Sequence, residues 1–166
     1  MFKITLFLIL FLVTAIPSQK QNIIDVLEEY NKYFGEANYS KIVNSFDYPT
    51  SFNLSDKTIT ASSRFKLKLI YKKLRGDLPD YYSYSKWNKI DVELIDDNIA
   101  IVNASFSRYD NNDIAFYSGS AQYHLRYKDE KWKIYSLTPY KNIEVLNWYF
   151  FKQIISVLKN LKLFFI

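Results

Sequence analysis

Between Asn88 and Leu137, apolar residues recur at alternate positions through three runs separated by turn-forming residues, the pattern of half-buried strands. Asn tolerates the left-handed backbone of a tight hairpin, so Asn111-Asn112 reads as a two-residue turn. That turn sets Arg108 opposite Ala115, Phe106 opposite Tyr117, Ala104 opposite Gly119, Val102 opposite Ala121 and Ala100 opposite Tyr123. A second turn at Asp129-Glu130 pairs Tyr127 with Trp132 and Leu125 with Ile134. Upstream, a three-residue loop Asp97–Ile99 puts Leu94 beside Val102, Val92 beside Ala104, Ile90 beside Phe106 and Asn88 beside Arg108. All three turns agree on one apolar face, and a slip of one residue would destroy that agreement. The other face collects Asn103, Ser105, Ser107, Ser118, Ser120, Gln122, His124 and Arg126, with Ile101 and Phe116 among them. One side of the sheet packs on helices; the other meets water or a partner.

Upstream the period changes to that of a helix. Over 22–38, Ile23, Leu27, Tyr30, Phe34 and Ala37 share a face, Asn22 is a candidate N-cap, and Asp25, Glu28 and Glu29 lie near the start, where the helix dipole favours acids. A short helical turn over Ser40–Phe46 follows, and Tyr48-Pro49 then directs the chain into an extended strand, Thr50–Leu54. Ser62 or Ser63 caps a further helix that runs to about Leu74 and stops at Gly76. Its apolar face is Leu67, Ile70, Tyr71 and Leu74, and six Lys and Arg surround it, as on a solvated surface or one that meets an acidic partner or lipid headgroups.

The two ends stand apart from this pattern. Residues 1–18 have one basic residue, Lys3, then an apolar run from Ile4 to Ile16, and end in Pro17-Ser18, the layout of a secretory signal peptide. Val13 and Ala15 fit the small-residue positions of a cleavage site, and an uncleaved anchor is the alternative. Export, periplasmic or secreted, is the expectation, with association at a membrane left open. Residues 141–166 form an amphipathic helix with a broad apolar face, broken by Lys152, Lys159 and Lys162. Those lysines argue against a spanning helix, so residues 142–166 pack on the domain, on a second subunit or on a membrane surface.

Composition narrows the chemistry. The 166 residues suit one domain, and 49% hydrophobic and 19% aromatic content, including 15 Tyr and 13 Phe, excludes a disordered chain. A net charge of +5 without an Arg-rich run or a basic stripe of stacking aromatics gives no footprint for nucleic acid. No cysteine and one histidine leave no thiol chemistry, no disulfide and no Cys- or His-based metal site. Three glycines leave no phosphate loop and no nucleophile elbow, so no cofactor is expected.

The ordered set of Tyr48-Pro49 after the helical turn, the strand Ala100-Ile101-Val102, Arg108 before the hairpin, Tyr123-His124-Leu125 and Lys131-Trp132-Lys133-Ile134 resembles the nuclear transport factor 2-like superfamily, and within it the SnoaL-like (polyketide-cyclase-like) branch. The resemblance covers residues 22–140. It implies an α+β fold in which a curved antiparallel sheet packs on N-terminal helices and forms a cone with a pocket, and a homodimer through the outer sheet face. Steroid-isomerase-like members carry a catalytic Asp at the end of the first strand, where this chain reads Ser51-Phe52-Asn53-Leu54. No catalytic residue is therefore expected. Arg108 is the one charge on the core face, and a buried cation must pair, snorkel to solvent or await an anion. Arg108, Asn88, Tyr117 and Tyr123 are the candidate ligand-binding residues. The function expected is binding of a small anionic or aromatic molecule or a protein partner. The alternative is a cofactor-independent isomerase, dehydratase or cyclase using His124 or Asp47.

Overall fold

The protein's structure, a computed structural model, describes residues 18–140. The expected leader, Ser18 apart, and the expected C-terminal helix lie outside them. A long helix, α1 (Gln19–Gly35), is followed by a short α2 (Tyr39–Ile42) and a 3-10 turn (Val43–Ser45). Then come β1 (Phe46–Asn53), β2 (Thr58–Ala61), α3 (Arg64–Gly76), β3 (Tyr82–Leu94), β4 (Ile99–Asp110), β5 (Ala115–Lys128) and β6 (Lys131–Tyr140). The six strands make one sheet in the order β2-β1-β6-β5-β4-β3. Only the β1–β6 pairing is parallel. The sheet is curved and unclosed, with α1 packed on it, the cone of an α+β fold.

Ser18, rather than Asn22, caps α1, its side chain accepting from the Gln21 amide at 3.2 Å. Ile23, Leu27 and Phe34 are buried as their spacing predicts, but the helix ends at Gly35 and Ala37 turns left-handed with φ 53°. Ser63 caps α3, accepting from Lys66, and Leu67 and Tyr71 bury its inner face. The Tyr48–Pro49 peptide is cis and lies inside β1. Proline has no N–H to give a ladder, and the β1–β6 pairing breaks between Phe46 and Ser51, around Pro49.

The sheet keeps the expected face but shifts two of the three expected registers by two residues. Across the β4–β5 hairpin, Arg108 faces Tyr117, Phe106 faces Gly119, Ala104 faces Ala121, Val102 faces Tyr123 and Ala100 faces Leu125. The cause is the turn, which is longer than Asn111-Asn112. The Asp110 carboxylate accepts from the amides of Asn112 and Ile114, both at 2.8 Å, Asp113 is left-handed, and a bulge sits between Arg108 and Tyr109. Likewise β3 and β4 pair Leu94 with Ala100 and Val92 with Val102, because Asp96 closes the loop by accepting from Asn98 and Ile99. A shift of two preserves side-chain parity, so the core face survives both errors. The third turn is as expected: Asp129 and Glu130 are both left-handed, and Tyr127 pairs with Trp132.

Candidate functional site

Arg108 sits near the far end of β4, half-buried, on the core face. Its guanidinium lies over two rings, 4.8 Å from the centre of Tyr117 and 5.3 Å from that of Phe106. Its buried Nε has no hydrogen-bond partner, and no ion pair among the described residues includes it. Arginine stays protonated and presents a planar fork of donors, so this is a fixed positive charge with donors to spare. Cation–π contact holds it in place without neutralising it.

From Arg108 a run of rings leads inward. Phe106 touches Tyr117 and Trp87, Trp87 touches Tyr123, and Tyr123 touches Tyr30, each pair with centres 6.0 Å apart. Tyr30 meets Tyr71 at 5.9 Å, and the Tyr71 hydroxyl donates to that of Tyr30 at 3.3 Å. The Trp87 indole N–H donates to the Leu27 carbonyl of α1 at 3.3 Å, which fixes its ring. Burial, joined by the neighbouring Tyr30 phenol, pushes the Tyr123 phenol well above its ordinary value, while the charge of Arg108 pulls the other way. Tyr30 is raised by burial too, and Arg108 again opposes the shift. The charge of Arg108 thus opposes the shift at both buried phenols.

Of the four residues proposed from sequence, Arg108, Tyr117 and Tyr123 share the core face, with Tyr117 beside the guanidinium and 48% exposed. Tyr123 is buried further in. Asn88 does not meet Arg108, although it lines a small cavity together with Tyr117. It occupies a bulge between Trp87 and Lys89, and its side-chain amide donates to Ser107 Oγ at 2.9 Å on the opposite face. The bulge adds one residue to β3, and one residue is enough to reverse a side chain. Sequence reasoning missed Tyr30 and Tyr71 as members of the polar cluster, though both stood on predicted helix faces. A tyrosine on a core face needs a partner for its hydroxyl, and that was the available signal.

The two residues considered for acid–base chemistry lie elsewhere. His124 is on the outer face, its Nε2 2.9 Å from Gln122 Oε1 and its ring edge-on to Tyr135. Asp47, 7% exposed, is held by Lys128 at 3.2 Å and Arg126 at 3.4 Å. Among the described residues no three His, Asp or Glu side chains cluster as a metal site, and no helix is long and apolar enough to cross a membrane. A cleft of about 550 Å³ opens between α1 and the β5–β6 hairpin, lined among others by Asp25, Glu29, Lys41, Trp132 and Lys133. A smaller cavity of about 260 Å³ is lined by Asn88, Ser105, Tyr117, Ser118, Gly119 and Tyr140, so Tyr117 borders this cavity as well as the Arg108 guanidinium. Arg108 lines neither of these two.

The arrangement of α1, the curved sheet and the aromatic interior matches known proteins. Residues 19–142 match the NTF2-like protein (DUF6841) family. The chain belongs to this family. Membership places it in the nuclear transport factor 2-like superfamily without singling out the SnoaL-like branch. No curated protein matches it in sequence. Among solved structures it is similar to a domain of unknown function with a cystatin-like fold from Nostoc punctiforme, with TM-score 0.63 and 11% identity over 86% of this chain and 96% of that one. It is also similar to an NTF-2 like protein of unknown function from Shewanella oneidensis (TM-score 0.59, 12% identity, covering 74% and 98%). A ketosteroid isomerase-like protein from Erwinia carotovora atroseptica gives a TM-score of 0.54 at 11% identity, covering 75% and 96%. At these identities the likeness is one of fold.

Proposed function

We propose that this NTF2-like domain is a non-catalytic binding module that takes a small anionic molecule, such as an aromatic carboxylate, at the end of the cone where Arg108 lies. The observation that carries this reading is the unpaired guanidinium, with a buried Nε lacking any acceptor and no carboxylate within ion-pair distance among the described residues. Leaving such a donor unsatisfied costs about 1–3 kcal/mol, which an incoming anion would recover. Half-exposed Tyr117 offers an aromatic surface beside the charge. A thermal-shift screen of small carboxylates, phosphates and sulfonates tests it. Compounds that raise the melting temperature of the wild type but not of Arg108→Ala support the reading; hits indifferent to Arg108 would sink it.

The fold of the ketosteroid isomerase-like relative makes a cofactor-independent isomerase, dehydratase or cyclase the rival. That chemistry needs a base beside the ligand. His124 and Asp47 are turned to the outer face and engaged by Gln122 and by Arg126 and Lys128. The same reading has the domain exported after cleavage of the leader at Val13-Thr14-Ala15, which would leave the Ser18 cap of α1 in place; N-terminal sequencing of the protein from the host's extracellular or periplasmic fraction would check it. It also has two copies meeting through the outer sheet face, where Ser, Asn and Gln side chains bond to one another. A monomer in sedimentation equilibrium would count against that.

A further inference from the structure

The helix α3 carries Arg64, Lys66, Lys68, Lys72, Lys73 and Arg75 and no acidic residue within its span. Four of these cations are engaged locally. Arg64 bonds to Asn44, Lys68 to Ser40 at 2.8 Å, Lys73 to Asp77 at 3.0 Å, and Arg75 lies over the Tyr82 ring at 4.3 Å. Lys66 and Lys72 are exposed and make no side-chain bond or ion pair among the described residues.

Between these lysines, on the side opposite buried Leu67 and Tyr71, two apolar side chains project outward. Phe65 is 71% exposed and Leu69, one turn on, is 51% exposed. A Phe this exposed contributes nothing to the core, and the helix is already anchored by Leu67 and Tyr71. We infer that this face of α3 docks on an anionic lipid bilayer, with Lys66 and Lys72 at headgroup level and Phe65 and Leu69 reaching the acyl boundary. Charge complementarity argues for the anionic partner, because the helix presents one sign only. The apolar pair decides for a bilayer over an acidic protein. It projects from a convex helix face, and lysine stems flanking a short apolar wedge reproduce the layering of headgroup over acyl chain.

The test uses the full chain, with its own ends unchanged, in flotation with phosphatidylcholine vesicles that contain or lack phosphatidylglycerol. Expected is binding to the anionic vesicles that weakens with salt and is at least about tenfold weaker for Lys66→Gln/Lys72→Gln. Phe65→Ser/Leu69→Ser should lose affinity to a similar extent. All four side chains are exposed, so both variants should keep the wild-type circular dichroism and melting temperature. Failure of the wild type to float with anionic vesicles overturns the inference. So does binding unchanged in both variants, which would move the contact to another part of the chain. Loss with the lysine variant alone overturns it as well, since the contact would then be purely electrostatic and suited to an acidic macromolecule.

Discussion

Replacing Arg108 with methionine should make the ligand-free domain more stable. The side chain is half-buried, and its Nε is shielded from water without an acceptor, a penalty of about 1–3 kcal/mol. Against that stand two cation–π contacts, to Tyr117 at 4.8 Å and Phe106 at 5.3 Å, worth about 0.5–1 kcal/mol each at a partly exposed site. Methionine keeps the apolar stem and regains part of this through sulfur–aromatic contact, about 0.3–1.5 kcal/mol. The balance favours Arg108→Met by about 1 kcal/mol. Urea unfolding followed by tryptophan fluorescence reads it directly, since Trp87 lies two rings from Arg108. The anion supplies the second half of the test. At a concentration about a hundredfold above its dissociation constant, a ligand bound only by the native state adds about 2.7 kcal/mol. The order should therefore invert: the variant is the more stable without anion, the wild type with it. A variant destabilised by about 1 kcal/mol or more in the absence of anion would refute the reasoning, because Arg108 would then be a structural residue whose contacts satisfy it.

Three further outcomes are expected. In Gly119→Ala the new Cβ would lie 2.9 Å from Tyr117 Cε1 and 3.0 Å from Phe106 Cζ, both side-chain atoms, so half-exposed Tyr117 swings away. The strand gains about 0.5–1 kcal/mol from losing a glycine and the displacement offsets it, so urea unfolding should change by under about 1 kcal/mol while the anion response weakens. An unaltered anion response would show that Tyr117 has no part in the site. Asn88→Ala removes the bond to Ser107 and should cost about 1 kcal/mol with the anion response intact; loss of that response would put Asn88 back among the binding residues. The third concerns alkaline pH. Burial holds the phenols of Tyr30, Tyr71 and Tyr123 above 10.0 and that of Tyr48 up to about 12. Above pH 10 the unfolded chain releases phenolic protons that the native state retains, so the stability present below that pH is lost as pH rises towards the native values. Chemical unfolding at stepped pH should decline from about pH 10, and less steeply in Tyr71→Phe; a decline equally steep in that variant would contradict the assignment.

The face of each sheet strand was legible because alternation depends on parity alone. Register was less so, because it depends on how carboxylates close the turns. Asp110 and Asp96 each gather two backbone amides and reset the pairing by two residues, an arrangement that alternating letters do not encode. Asp129-Glu130 was readable because a two-residue turn has no room for such a choice. The bulge at Asn88 depends on what lies beside it: Ser107 offers a partner on one face and the Asn31 amide donates to the Ser85 carbonyl nearby. Strand Thr58–Ala61 escaped notice at four residues, too short for alternation to stand out. At the site, Arg108 and Tyr117 follow from one strand's alternation and its hairpin. The Tyr30–Tyr71 hydroxyl pair brings together two helices far apart in sequence, and no local pattern reports such a meeting.

The most direct measurement is the structure of the domain with the strongest anion from the thermal-shift screen bound. The anionic group is expected within ion-pair distance of the Arg108 guanidinium, with Tyr117 against the rest of the molecule. An anion seated instead in the cleft between α1 and the β5–β6 hairpin, near Lys41 and Lys133, with Arg108 unchanged, would contradict it.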